Sequence, residues 1–212
     1  LDDLLEISET GNFDGFEFDF DFKVFDNPTE MRQAIEEKSL INNKSRLVAG
    51  YCYEWATKKK ENYNKYDIEF SEYDFKMKWN LSNSATWAID KESVKECGCI
   101  HTCQGLEFDY VGVIIGQDLR FENGKIITDF FKRAKTDKSL NGVKKLYKKD
   151  KEKALEISEE LIKNTYRILM TRGLKGCYVW CEDKALSNYF KERLNSFSRQ
   201  IGVKEIDENR VL

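Results

Sequence analysis

The chain has 212 residues, enough to bury a full hydrophobic core in one mixed α/β domain. A composition that is 41% hydrophobic, 13% aromatic and 34% charged excludes disorder throughout. The net charge of -3 gives no overall basic field, so contact with nucleic acid requires a local patch.

The sequence carries no apolar run of the roughly 18 residues that would suggest a membrane helix, and no basic start followed by an apolar stretch. The expectation is a cytoplasmic protein with no membrane partner. Its first residue is Leu1 rather than Met, which suggests a piece of a longer protein.

Residues 1–15 are polar and acidic, with Gly11 and Gly15, and read as a linker or a helix end. Phe16, Phe18, Phe20 and Phe22 then alternate with Glu17, Asp19 and Asp21, which predicts a strand at about 17–25 with its aromatic side chains in the core. Asn27-Pro28-Thr29-Glu30 is a helix start, with Asn27 as the cap and Pro28 at the first helical position. Met31, Ala34, Ile35 and Lys38 follow at helical spacing until Asn42-Asn43 breaks the pattern.

Residues 46–52 are a short apolar run, which fits a buried strand of a parallel sheet. Residues 58–80 alternate twice, at 66–70 and 75–79, and predict one or two exposed strands or a hairpin. Their interleaved Tyr, Trp and Lys residues read first as a half-buried sheet face and second as a base-stacking surface. Residues 84–90 form another short apolar stretch, and 94–100 lead as a strand into the central segment.

Further on, Glu122-Asn123-Gly124 lies between two apolar runs, a strong hairpin signal. Residues 132–153 are basic, with Lys132, Arg133, Lys135, Lys138, Lys144, Lys145, Lys148, Lys149, Lys151 and Lys153. They read equally as a phosphate-binding segment or as a solvated mobile loop. Ala154, Leu155, Ser158, Leu161, Ile162, Thr165 and Leu169 predict a helix between about 150 and 170. A last strand follows at 176–181, then a helix capped by Asp183 and running through Leu194, then a polar tail at 198–212.

The six cysteines, Cys52, Cys97, Cys99, Cys103, Cys177 and Cys181, are expected to be buried free thiols. Cys97, Cys99, His101 and Cys103 would share a face only if the strand continued through the loop, and a C-x-x-C knuckle is absent. Core packing is therefore preferred to a zinc site.

The stretch that organises the chain is Ile100-His101-Thr102-Cys103-Gln104-Gly105-Leu106-Glu107-Phe108-Asp109-Tyr110, followed by the apolar run at 111–115. It resembles motif V of UvrD/Rep-like superfamily 1 helicases, whose usual form is T-x-H-x-x-K-G-L-E-F-D. Gly105-Leu106-Glu107-Phe108-Asp109 match letter for letter, and Gln104 stands where the family has Lys. Leu169-Met170-Thr171-Arg172-Gly173, ahead of the strand at 177–180, resembles motif VI of the same helicases. Arg46 and Trp55 fall near where motif IV lies, in a loose match. The closer resemblance, over nearly the whole chain, is to the helicase domain of Schlafen-type (group 3) proteins and related bacterial proteins. It is carried by residues 20–26, 47–52 and 164–173.

The resemblance implies an α/β, RecA-like fold with a mostly parallel sheet flanked by helices and a small β insertion. It divides the chain into a linker at 1–15 from an N-terminal ATPase domain, a helicase C-terminal domain at 16–197 and a tail at 198–212. Arg172 is the implied arginine finger, reaching a nucleotide held by the other domain, with Arg167 in support. Glu107 would accept from ribose hydroxyls, with Gly105 and Gln104 beside the nucleotide, and His101 and Thr102 would face a nucleic-acid backbone.

No G-x-x-x-x-G-K-[ST] loop and no strand ending in paired acids is present, so ATP and Mg2+ would be bound mainly by the upstream domain, and this chain alone should not hydrolyse ATP. The implied partners are single-stranded DNA or RNA and the N-terminal RecA-like domain. The alternative is a non-translocating binding or signalling module of the same fold, working through residues 132–153.

Overall fold

The computed structural model of the chain describes residues 1–7, 20–58, 60–79 and 86–208. Its centre is three parallel strands, β2 (Ser45–Ala49), β6 (Phe108–Ile115) and β9 (Gly173–Cys181). Their near-continuous apolar runs follow from burial on both faces, because alternate side chains of one strand enter different cores. Val48, Val111, Val113, Ile115, Cys177, Val179 and Cys181 pack on one side, while Leu47, Ala49, Ile114, Tyr178 and Trp180 pack on the other.

Around this centre stand β1 (Asp21–Phe25), β3 (Ile68–Phe70), β4 (Phe75–Trp79) and β5 (Glu96–Gly98). The seven-stranded sheet has the order β1-β9-β6-β2-β5-β4-β3. All of its pairings are parallel except that of β3 with β4. The predicted hairpin at 66–79 is thus an extension of the main sheet. Ile68, Phe75, Met77 and Trp79 are buried in its core, which leaves Trp79 no face for a base.

Helix α1 (Pro28–Asn42) covers one face through Met31 and Ile35. The Asn27 side chain caps it by accepting from the Thr29 N–H at 2.8 Å, and Asn43 ends it with φ 58°. Close approach of the helix needs Gly112, where an added Cβ would lie 2.9 Å from both Ile35 and Leu47. The opposite face carries α3 (Lys151–Met170) and α4 (Lys184–Glu208), which bury Ala154, Ile162, Tyr166, Leu169, Met170, Leu186 and Phe190. The Asp183 carboxylate accepts from the Leu186 N–H at 2.7 Å and starts α4. That helix continues past Leu194 to Glu208, through residues expected to be tail.

The Asn123-Gly124 turn has positive φ at both residues, 52° and 80°, and joins β7 (Leu119–Glu122) to β8 (Lys125–Thr128) as predicted. Of the strand expected at 17–25, the portion at 17–19 lies outside the described residues, as do 84 and 85 of the apolar stretch at 84–90. The strand expected over 94–100 is shorter, because a 3-10 turn occupies Lys91–Lys95. Within the stretch read as a linker, Leu4 and Leu5 are buried against the α3 side of the core. Glu6 also accepts from the Ile126 N–H through its carboxylate and from Lys163 through its carbonyl; residues 8–15 lie outside the described ones.

Candidate nucleotide and nucleic-acid sites

Residues 99–107 leave the carboxyl end of β5 and must reach the amino end of β6. They cross the α3 side of the sheet, with Cys103 buried and Ile100 and Leu106 packed on the core. Thr102 and Cys103 donate backbone N–H groups to the Cys99 carbonyl, and Gly105, at φ 75°, closes a second turn in which Leu106 N–H meets the Cys103 carbonyl. The motif thus spans both edges of the sheet. His101 lies against the Tyr51 ring at the carboxyl edge, with centroids 6.2 Å apart, while Glu107 is exposed at the amino edge. Since β6 has eight residues, the two edges are roughly 25 Å apart.

At the amino edge, β6 and β9 start in register, Phe108 opposite Gly173, and this joins the two motifs. The Phe108 N–H donates to the Arg172 carbonyl at 2.8 Å. The Arg172 guanidinium donates from Nε to the Ile168 carbonyl at 3.1 Å and from Nη1 to the Leu106 carbonyl at 3.3 Å. Among the described residues it has no carboxylate partner. Its charge is therefore held in place by neutral groups, and among the same residues its remaining N–H donors are unspent.

Arg167 is different: its guanidinium meets the Asp2 carboxylate at 2.5 Å on the surface. The structure brings Arg172, Gly105 and Glu107 to one edge, and Gln104 is exposed beside them. Asp109, the last residue of the matched letters, accepts from Lys175 at 2.8 Å and Asn42 at 2.7 Å, and these bonds hold its carboxyl below the ordinary aspartate range. Around this edge Leu40, Ile41, Ile89 and Leu174 are exposed, the last with 59% of its surface open.

The Thr102 hydroxyl accepts from the Cys99 N–H at 2.6 Å and donates its one proton to the Cys99 carbonyl at 3.0 Å. This ties the loop start to itself, and His101 is left as the exposed donor of the pair. Cys97 and Cys99 face the α1 core, whereas Cys103 faces the α3 core, because the strand ends at Gly98 and alternation stops there. All six cysteines are free. Burial, reinforced by Cys99, pushes the Cys103 thiol up to about 12, against the opposing influence of Arg172. Iodoacetamide labelling of Cys97, Cys103, Cys177 and Cys181 at neutral pH is accordingly expected to be slow until denaturant is added; mass spectrometry reads the count of alkylated sites.

Arg46, near the loosely matched motif IV, is fully buried. Its guanidinium donates to the Ser93 hydroxyl and to the carbonyls of Asn43, Ser45, Ala88 and Asp90 at 2.7–3.0 Å. It is a staple joining β2 to residues 88–93, with no donor turned to a ligand. Burial lowers its pKa, partly offset by Asp90.

Sequence reasoning missed a second buried network, at the carboxyl edge. Tyr166 donates to Asp118 at 2.5 Å and accepts from the Gly116 N–H at 3.1 Å. Arg133 bridges Asp118 at 3.0 Å and Asp137 at 2.7 Å. The only sequence signal was the four-residue spacing of Arg133 and Asp137. Arg133 thereby leaves the basic segment as a surface charge. An added Cβ at Gly50 would lie 2.1 Å from the Tyr166 hydroxyl. Gly50→Ala is expected to cost about 2 kcal/mol or more, read as a lower chemical-denaturation midpoint.

Fold and motifs together define a helicase-like α/β domain. The chain belongs to the Schlafen group 3 DNA/RNA helicase domain family, which matches residues 1–183. It is similar to the uncharacterized protein YPL245W of Saccharomyces cerevisiae, with 28% identity over 178 residues, 82% of this chain and 36% of the yeast protein. The chain thus spans little more than a third of that relative's length. No solved structure matches it. Among the described residues no helix is long and apolar enough to cross a membrane.

Proposed function

We propose that the chain is the C-terminal, RecA-like half of a superfamily 1 helicase-like, nucleic-acid-dependent ATPase, with motif V at residues 100–110 and motif VI around Arg172. The observation that carries this reading is the Arg172 guanidinium, fixed by the Ile168 and Leu106 carbonyls and left without a carboxylate partner among the described residues. A γ-phosphate supplies the missing negative charge, and a preset fork stabilises the charge spread over its oxygens during transfer.

Glu107 stands one residue from Leu106, the carbonyl of which orients Arg172, so a ribose hydroxyl and a phosphate of one nucleotide fall within reach of this edge. The exposed Leu40, Ile41, Ile89 and Leu174 supply apolar contact for an upstream RecA-like domain that holds ATP and its Mg2+. Arg167, engaged with Asp2, supports the edge from one helical turn away. Closure of the two domains on ATP brings Arg172 to the phosphate, and hydrolysis releases them. The strand, DNA or RNA, lies along the opposite edge, where His101 is exposed.

The test is ATP turnover by the intact protein, with and without single strands, for the wild type and Arg172→Ala. A second reading, a binding module without translocation, is favoured by the ordered and exposed lysines of residues 143–149. It expects strand binding without turnover and indifference to Arg172.

A further inference from the structure

The aromatic pair formed by Phe131, which is exposed, and Tyr147, half-buried against the core, is not used by either motif. Phe131 sits in a 3-10 turn, Phe130–Lys132, with 54% of its surface open. Its lysine-rich surroundings and its aromatic neighbours set Phe131 apart from a single exposed apolar residue. Phe131 is also held firmly: its N–H donates to Asp129 at 2.9 Å, Phe130 is buried beside it with ring centroids 4.2 Å apart, and Tyr147 stands edge-on at 5.5 Å and 88°.

Two positive charges flank the rings. Lys144 Nζ lies 5.9 Å from the Phe131 ring centre, and Lys151 Nζ lies 5.7 Å from that of Tyr147. Tyr147 and both flanking lysines come from α2 (Val143–Lys149) and the residues just after it. Within residues 132–153 there are ten basic and three acidic residues, although the whole chain has a net charge of -3. Lys132, Lys144, Lys145, Lys148, Lys149 and Lys151 are exposed and form no ion pair among the described residues. A mobile tail would need no such support, but this patch is bolted to the sheet. Next to Lys132, Arg133 is buried between Asp118 and Asp137, and the Ala134 N–H donates to the Tyr51 carbonyl at 2.9 Å. Tyr51 is also the residue that His101 touches.

We infer that Phe131 and Tyr147, with Lys144, Lys148 and Lys151 around them, form a base-stacking platform for single-stranded nucleic acid at the carboxyl edge of the sheet. Every base has a π-face that an open ring accepts, and the lysines neutralise the phosphates on either side, a combination that selects unpaired strands without reading sequence. A duplex hides its base faces and gains only from the charges. The platform deepens the strand-binding part of the function proposed above and rests on it: a strand stacked here continues past Tyr51 to His101.

The experiment measures anisotropy of fluorescein-labelled dT20 and U20 with the intact protein over a salt series, for wild type, Phe131→Ala/Tyr147→Ala and Lys144→Gln/Lys148→Gln, each checked for an unchanged melting curve. The aromatic variant is expected to bind about tenfold or more weakly at every salt concentration, with its salt slope unchanged. The lysine variant is expected to lower the slope of log affinity on log salt by about 1.4. Photocrosslinking of a 5-iodouracil strand is expected to map to Phe131 or Tyr147, which holds even if an alanine variant unfolds. Strong wild-type binding that neither variant weakens, with crosslinks elsewhere, overturns the platform and leaves the strand-binding function standing. No binding of either strand by the wild type overturns both. The dT20 and U20 arms decide between DNA and RNA.

Discussion

Arg172→Ala is expected to lower nucleic-acid-stimulated ATP turnover by the intact protein about 10³-fold or more, the effect of removing an arginine that neutralises transition-state charge. The fold should survive. Among the described residues the side chain makes two hydrogen bonds, at 3.1 and 3.3 Å, both to backbone carbonyls, and no buried carboxylate is stranded by its loss. The strand contact nearest to it, Phe108 N–H to the Arg172 carbonyl, belongs to the backbone and is kept in the variant. Arg172→Lys keeps the charge without the planar fork and is expected to recover little. Phosphate release under saturating ATP is the measurement, with a thermal melt on the same sample. Turnover within a few-fold of the wild type in Arg172→Ala would refute the finger role, whatever the strand-binding result.

The parts of this molecule that were legible in its sequence are those set by local rules. Asn27-Pro28, the Asn123-Gly124 turn and Asp183 each fix a boundary through their own backbone or a neighbour's, so short windows suffice to find them. The three central strands were legible because burial on both faces leaves an unbroken apolar run.

Long-range pairing was less visible. The hairpin at 68–79 read as an exposed insertion because its alternation marks one buried face without saying which sheet owns it, and the partner is β5, some twenty residues on. Arg46 was similarly opaque. A guanidinium saturated by carbonyls and one with donors to spare are the same letter, and only their surroundings in the fold separate Arg46 from Arg172. The central segment was recognisable as a motif, but its letters could not say that it crosses from one sheet edge to the other. His101 and Glu107 are six residues apart in sequence and stand at opposite edges.

Arg133→Met is expected to destabilise the protein by about 3–5 kcal/mol, because it leaves two carboxylates in the interior with no cation. The side chains of Asp118 and Asp137 are 0% and 1% exposed, so water cannot take over the role of the guanidinium. Burial alone would lower the Arg133 pKa; Asp118 and Asp137 outweigh it and raise it above the ordinary arginine value, so the residue stays charged at any pH the fold survives. For a domain of this size the loss corresponds to a melting temperature lower by roughly 10 °C, readable by calorimetry. Adding Asp118→Asn and Asp137→Asn removes the stranded charges and should restore part of the stability, a coupling that a mere packing defect would not show. A melting temperature within a degree or two of the wild type in Arg133→Met would mean that these carboxylates reach water and that the network does not anchor the segment. If the anchor holds, the same substitution should also weaken single-strand binding under conditions where the variant is still folded, since Phe131 and Lys132 precede Arg133 directly and inherit their position from it.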